Sequence, residues 1–124
     1  MQCPKCLSDM EVVTFKTIEV ERCTSCKGLW FDMLEHEDLK KLSGSEVIDT
    51  GDPEIGKVYN KIDKINCPKC STEMIRMADR HQHHIWYESC HQCYGVFFDA
   101  GEFIDYKEET ILDYFKDLIA PERK

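Results

Sequence analysis

The sequence has no long apolar run, no basic stretch and no unpaired cysteine. Each absence excludes something. The longest uninterrupted apolar runs are a few residues, against the ~20 that a membrane-spanning helix needs. Lys and Arg number 16 against 24 Asp and Glu, a formal net charge of −8. The deficit is spread along the chain. Residues 1–42 carry 6 basic and 8 acidic side chains, 43–64 carry 3 and 5, 65–106 carry 3 and 6, and 107–124 carry 4 and 5. Non-specific nucleic-acid binding rests on Lys and Arg neutralising phosphates, so this balance disfavours a nucleic-acid partner while leaving room for a small local patch. The chain also opens without a basic-then-apolar stretch, and position 3 is already a cysteine. That predicts a cytoplasmic protein with no secretory leader. In a reducing compartment, paired cysteines read as metal ligands or redox groups rather than as a disulfide framework.

What the chain does have is a repeat. "CTSCKGLWFDMLE", from Cys23 to Glu35, returns 67 residues later as "CHQCYGVFFDAGE", from Cys90 to Glu102. "CPKC" occurs at 3–6 and again at 67–70, each time followed at the same offset by a methionine, Met10 and Met74. The 124 residues would suit one ordinary domain, but the repeat predicts two modules, 1–42 and 66–106. A unit of roughly 40 residues buries too little apolar surface to fold without disulfides or metals.

Within each module the two cysteine pairs bracket a predicted hairpin. "VVTFKTIEVER" is rich in β-branched residues, with Ile18 and Val20 alternating against Glu19 and Glu21. The second module places Ile75 and Met77 on one arm and Ile85 and Tyr87 on the other. The cysteine pairs are separated by 16 residues in the first module and 19 in the second, an insertion that a hairpin tip tolerates. A helix is expected from about Met33 to Leu42, a loop over 43–52, and a linker helix from Pro53 within the 43–65 linker. Asp52 is its expected N-cap, and Ile55, Val58, Ile62 and Ile65 its apolar face. A last helix is expected from Glu102 to about Ala120, continuing module two through the tail 107–124. Phe103, Ile104, Ile111, Leu112, Phe115, Leu118 and Ile119 form its apolar stripe. The fold class is therefore a small, metal-stabilised α+β protein.

All eight cysteines fall in C-x-x-C pairs: Cys3/Cys6, Cys23/Cys26, Cys67/Cys70 and Cys90/Cys93. Two such knuckles at this separation are a strong signal for a four-sulfur site, because each turns two sulfurs toward one ion. Two zinc ions per chain are expected. Iron is the rival metal for a tetrahedral sulfur shell. A dithiol redox role is the rival chemistry, and it fits four paired motifs poorly.

The combined pattern resembles the transcription-factor-IIB-type zinc ribbons of small bacterial proteins. The pattern is C-P-x-C, a hairpin, then C-x-x-C, Gly, bulky apolar, aromatic, apolar, Asp, x, x, Glu. Module one carries it through Cys3, Pro4, Cys6, Cys23, Cys26, Gly28, Leu29, Trp30, Phe31, Asp32 and Glu35. Module two carries it through Cys67, Pro68, Cys70, Cys90, Cys93, Gly95, Val96, Phe97, Phe98, Asp99, Gly101 and Glu102. The resemblance implies tandem zinc ribbons with the eight cysteines as ligands, and says little about activity. Lys27 and Tyr94 stand where the family usually has a glycine, as does Leu34 in module one.

The repeated acids invite a catalytic assignment, Asp32 with Glu35 and Asp99 with Glu102, but no nucleophile or open metal accompanies them. The D-x-x-E spacing before a helix instead predicts a capping box in both modules. Trp30, Phe31, Phe97 and Phe98 could stack on bases, yet lack the surrounding Lys and Arg that such platforms carry. They are expected in the core, one of each pair pointing inward. His81, His83 and His84 are expected at a polar hairpin tip, with His81 and His83 able to share a weak second metal site. His91 is expected to be exposed within a knuckle, and His36 on a helix surface.

These expectations describe a non-enzymatic, zinc-dependent interaction module with no catalytic residues. Its partner would be a protein or a second copy, met through the helical segments. Nucleic-acid binding and a zinc store or sensor are the alternatives.

Overall fold

Residues of the first β-branched stretch pair with one another, as the alternation demands. Strand β1 (Met10–Phe15) turns through Lys16 and Thr17 into β2 (Ile18–Cys23), with Met10 opposite Cys23 and Phe15 opposite Ile18. In the second module β4 (Ile75–Ala78) pairs with β5 (Trp86–Ser89) in the same way. Two three-residue strands follow the later knuckles, β3 (Leu29–Phe31) and β6 (Val96–Phe98). The structure is a computed structural model that describes residues 1–62, 64–78 and 85–107.

The two modules are not beads on a string. Their short strands pair with each other, and the result is one antiparallel six-stranded sheet in the order β1-β2-β3-β6-β5-β4. Leu29 faces Phe98, Trp30 faces Phe97 and Phe31 faces Val96. Since β3 and β6 are 67 residues apart, Trp30 and Phe97 are equivalent positions that meet at the centre of an approximate two-fold.

Side chains alternate across a strand, so this central pair feeds two cores. Leu29, Phe31, Val96 and Phe98 join Val20, Leu39, Ile48, Phe103 and Tyr106 on one face. Trp30 and Phe97 join Ile65, Met74 and the buried cysteines on the other. All four aromatics of the repeat, Trp30, Phe31, Phe97 and Phe98, are 0% exposed. The expectation that one of each pair points inward is corrected: the strands are central, and both of their faces are covered.

Helix α1 (Glu35–Lys40) is shorter than expected, and the segment expected as a loop holds a 3-10 turn over Ser45–Ile48 that buries Ile48. His36 is not a surface residue. It is 8% exposed and lies among the rings of Phe31, Tyr87, Phe98 and Tyr106. Helix α2 (Pro53–Asn60) starts as expected, with Pro53 in its first turn and Asp52 accepting from the Glu54 N–H at 2.9 Å. Of the expected apolar face, Ile55 and Val58 on the helix and Ile62 just past its end face solvent, whereas Ile65, beyond the helix, is buried; the one buried residue of the helix is Gly56. A Cβ at Gly56 would overlap the carbonyl of Ala100, so the bare backbone lets α2 lie against the second ribbon. Residues 102–107 are helical, with Phe103 buried. The rest of the expected tail helix, and the cluster His81, His83 and His84, lie outside the described residues. Among the described residues no helix is long and apolar enough to cross a membrane.

Candidate metal centres

Each knuckle is built by its own backbone. After Cys3 the chain turns so that the Leu7 N–H reaches the Cys3 carbonyl at 2.9 Å, and Ser71 does the same for Cys67. The later knuckles close through Gly28 and Gly95, whose carbonyls accept the Cys23 and Cys90 N–H groups at 2.9 Å. Left-handed backbone follows every knuckle, at Leu7, Lys27, Ser71 and Tyr94, with φ between 62 and 66°. Leu34 also has φ 66°. Positive φ is the glycine-favouring region, so Lys27, Leu34 and Tyr94 keep the turn that glycine would make.

These turns aim backbone N–H groups at sulfur. The Cys23 Sγ accepts from Ser25 and Cys26 at 3.3 Å, and the Cys67 Sγ from Lys69 at 3.4 Å and Cys70 at 3.3 Å. The hairpins then bring the knuckles together in pairs. Cys3, Cys6, Cys23 and Cys26 form one group and Cys67, Cys70, Cys90 and Cys93 another, with the sulfurs of each group within 4.8 Å of one another. Measured sulfur–sulfur separations are 3.7 Å for Cys3–Cys26, 3.4 Å for Cys6–Cys23 and 3.8 Å for Cys67–Cys93. A tetrahedron of sulfurs about 2.3 Å from zinc has edges of about 3.8 Å. All eight cysteines are free thiols, and the two groups fit two zinc ions per chain.

The electrostatics favour a cation. In the first group Cys3 is lowered to about 6, chiefly by its sulfur contact with Cys26, which is pushed up in turn. In the second group burial opposes ionisation of Cys90, yet the N–H groups of Cys93 and Gln92 hold it at about 6. Burial raises Cys23 and Cys67. Burial thus disfavours the thiolate at Cys23 and Cys67, and a positive ion among the sulfurs offsets that cost. Zinc bound there supplies folding free energy through a closed four-sulfur shell.

Around the cages lies a set of contacts that the repeat implied and the sequence did not single out. The Lys inside each first knuckle reaches across to the other ribbon. Lys5 Nζ lies 3.1 Å from Asp99 and 3.3 Å from Glu88, and donates to the Tyr59 and Ile62 carbonyls at the end of α2 at 2.8 and 2.9 Å. Asn60 adds a bond to Asp99 at 3.1 Å and is held by Arg76. Burial pushes Glu88 up to about 7 despite Lys5, and pushes Asp99 up as well. Lys69 makes the matching ion pair to Asp32. "CPKC" and the Glu21/Glu88 repeat were the available signals for this network.

The acids therefore differ from the expected capping boxes. In module one half of the box forms: Glu35 Oε1 accepts from the Asp32 N–H at 3.0 Å. The Asp32 carboxylate itself takes the Trp30 indole N–H and Lys69, and the N-cap position is Leu34, with no side-chain cap. In module two Asp99 is a buried ion-pair partner rather than a cap. Its place is taken by Asp49 from the linker, which accepts from the Gly101 and Ile104 N–H groups at 2.9 and 3.1 Å. His91 is exposed, as expected.

A family model for transcription factor zinc-fingers, of the transcription-factor-IIB ribbon type, matches residues 2–42 and 66–109. No curated protein and no solved structure matches the chain. The matched stretches coincide with the two sulfur cages and cover more than half of the sequence, so the chain belongs to the transcription-factor-IIB-type zinc ribbon family, with one ribbon in each half.

Proposed function

We propose that this protein is a non-enzymatic, zinc-dependent interaction module that binds a protein partner or a second copy of itself. The observation that carries this is the outward apolar face of α2. Ile55 and Val58 are 43% and 63% exposed, on a helix fixed in place by Lys5, Asn60 and Gly56, and Ile62 just past its end is 40% exposed. Residues spaced to form one apolar face of a helix, and turned to solvent, suit docking. Closed four-sulfur cages offer no open coordination position for substrate, which supports a structural role for the metal. The net charge of −8 disfavours nucleic acid despite the family's name.

The test is affinity capture from source cells with zinc-loaded protein, beside a Val58→Asp bait of equal zinc content. A partner, or the protein's own copy, held by the first bait and lost by the second is the expected result. Equal capture by both baits, or a gel shift with nucleic acid at low salt, would overturn the proposal.

A further inference from the structure

We infer that the two zinc sites load as a unit: an ion in one ribbon raises the affinity of the other, and the singly loaded protein is a minor species. The inference rests on the zinc assignment and holds whatever the partner is.

Three kinds of contact tie each cage to the opposite ribbon. The first is aromatic. The Trp30 ring lies on Gly95 and the Phe97 ring on Gly28, so closely that a Cβ on either glycine would overlap the ring. These are the glycines whose carbonyls hold the Cys90 and Cys23 N–H groups. Each ribbon thus braces the ligand loop of the other with its own central aromatic. The second is ionic. Lys5, between Cys3 and Cys6, pairs with Asp99 and Glu88, while Lys69, between Cys67 and Cys70, pairs with Asp32. The third is the β3–β6 pairing. Cys3, Cys23, Cys26, Cys67 and Cys90 consequently share one buried cluster with Trp30 and Phe97.

A ribbon of roughly 40 residues needs its ion to fold. The first ion must therefore order one ribbon while its bracing surface on the other is still unformed. The second ion completes both surfaces at once and binds more tightly. The two affinities are coupled reciprocally, as any two linked sites are.

Native mass spectrometry of the full chain in chelator-buffered zinc tests this. Two independent sites, equal or unequal, put half or more of the chains in the singly loaded state when the mean loading is one ion. A tenfold coupling lowers that fraction to about a quarter, and stronger coupling lowers it further. The expected spectrum is dominated by the empty and doubly loaded forms. A singly loaded fraction of half or more would overturn the inference. As a second measurement, Cys67→Ser/Cys70→Ser should bind its remaining ion at least tenfold more weakly than wild type binds its last one. Equal affinities would count against the coupling in the same way.

Discussion

Lys5 and Lys69 hold the same place in the two ribbons, between the cysteines of the first knuckle, and each pairs with the Asp that follows the other ribbon's central strand. Their surroundings differ. The Lys5 and Asp99 side chains are 0% and 1% exposed, whereas Lys69 and Asp32 are 40% and 44% exposed. The cause is α2, whose last carbonyls and Asn60 close over the first pair. The same motif is therefore a buried lock on one side of the two-fold and a surface ion pair on the other. Sequence identity between repeats does not carry energetic identity with it, because burial decides how much an ion pair matters.

The largest expected effect should abolish the comparison altogether. Chelating both ions removes an apparent ~10–16 kcal/mol per structural site, more than a small fold can spare. Circular dichroism should report loss of the cooperative melt, restored by two equivalents of zinc. Next comes the comparison itself. Lys5→Met leaves Glu88 and Asp99 buried without their shared cation and should cost about 3–5 kcal/mol. Lys69→Met should cost less than about 1 kcal/mol. Urea denaturation of the two zinc-loaded variants checks this, and equal losses would show that α2 does not make the difference.

Gly28→Ala and Gly95→Ala probe the part of the structure that remains symmetric. Each pushes a methyl into the opposite ribbon's aromatic ring, and overpacking of this kind costs about 1–3 kcal/mol. The two losses should agree closely, since the glycines are equivalent. Smallest is Asp52→Ala, which removes the N-cap of α2 for about 1 kcal/mol. It should loosen the cover over Lys5 and leave the Lys69–Asp32 pair untouched, read as faster amide exchange in α2 alone.

How much of this is legible in the sequence follows from how local each feature is. The cages, both hairpins and the start of α2 are set by residues close in sequence: the C-x-x-C spacing, the β-branched alternation, and the Asp52–Pro53 pair. The β3–β6 pairing joins residues 67 positions apart and has no local signature. Everything that depends on it was hidden for the same reason. Asp99 reads as a cap until Lys5 from the other ribbon reaches it, and Asp49 caps a helix more than 50 residues ahead. Gly56 reads as a flaw in a helix until Ala100 lies against it. His36 reads as exposed until four rings from both ribbons surround it.

The most direct test of the central claim is X-ray absorption at the zinc edge, with elemental analysis, on protein purified without chelator. The predicted result is two zinc ions per chain, each in a shell of four sulfurs at about 2.3 Å. One ion or none per chain, or a shell containing nitrogen or oxygen, would contradict it.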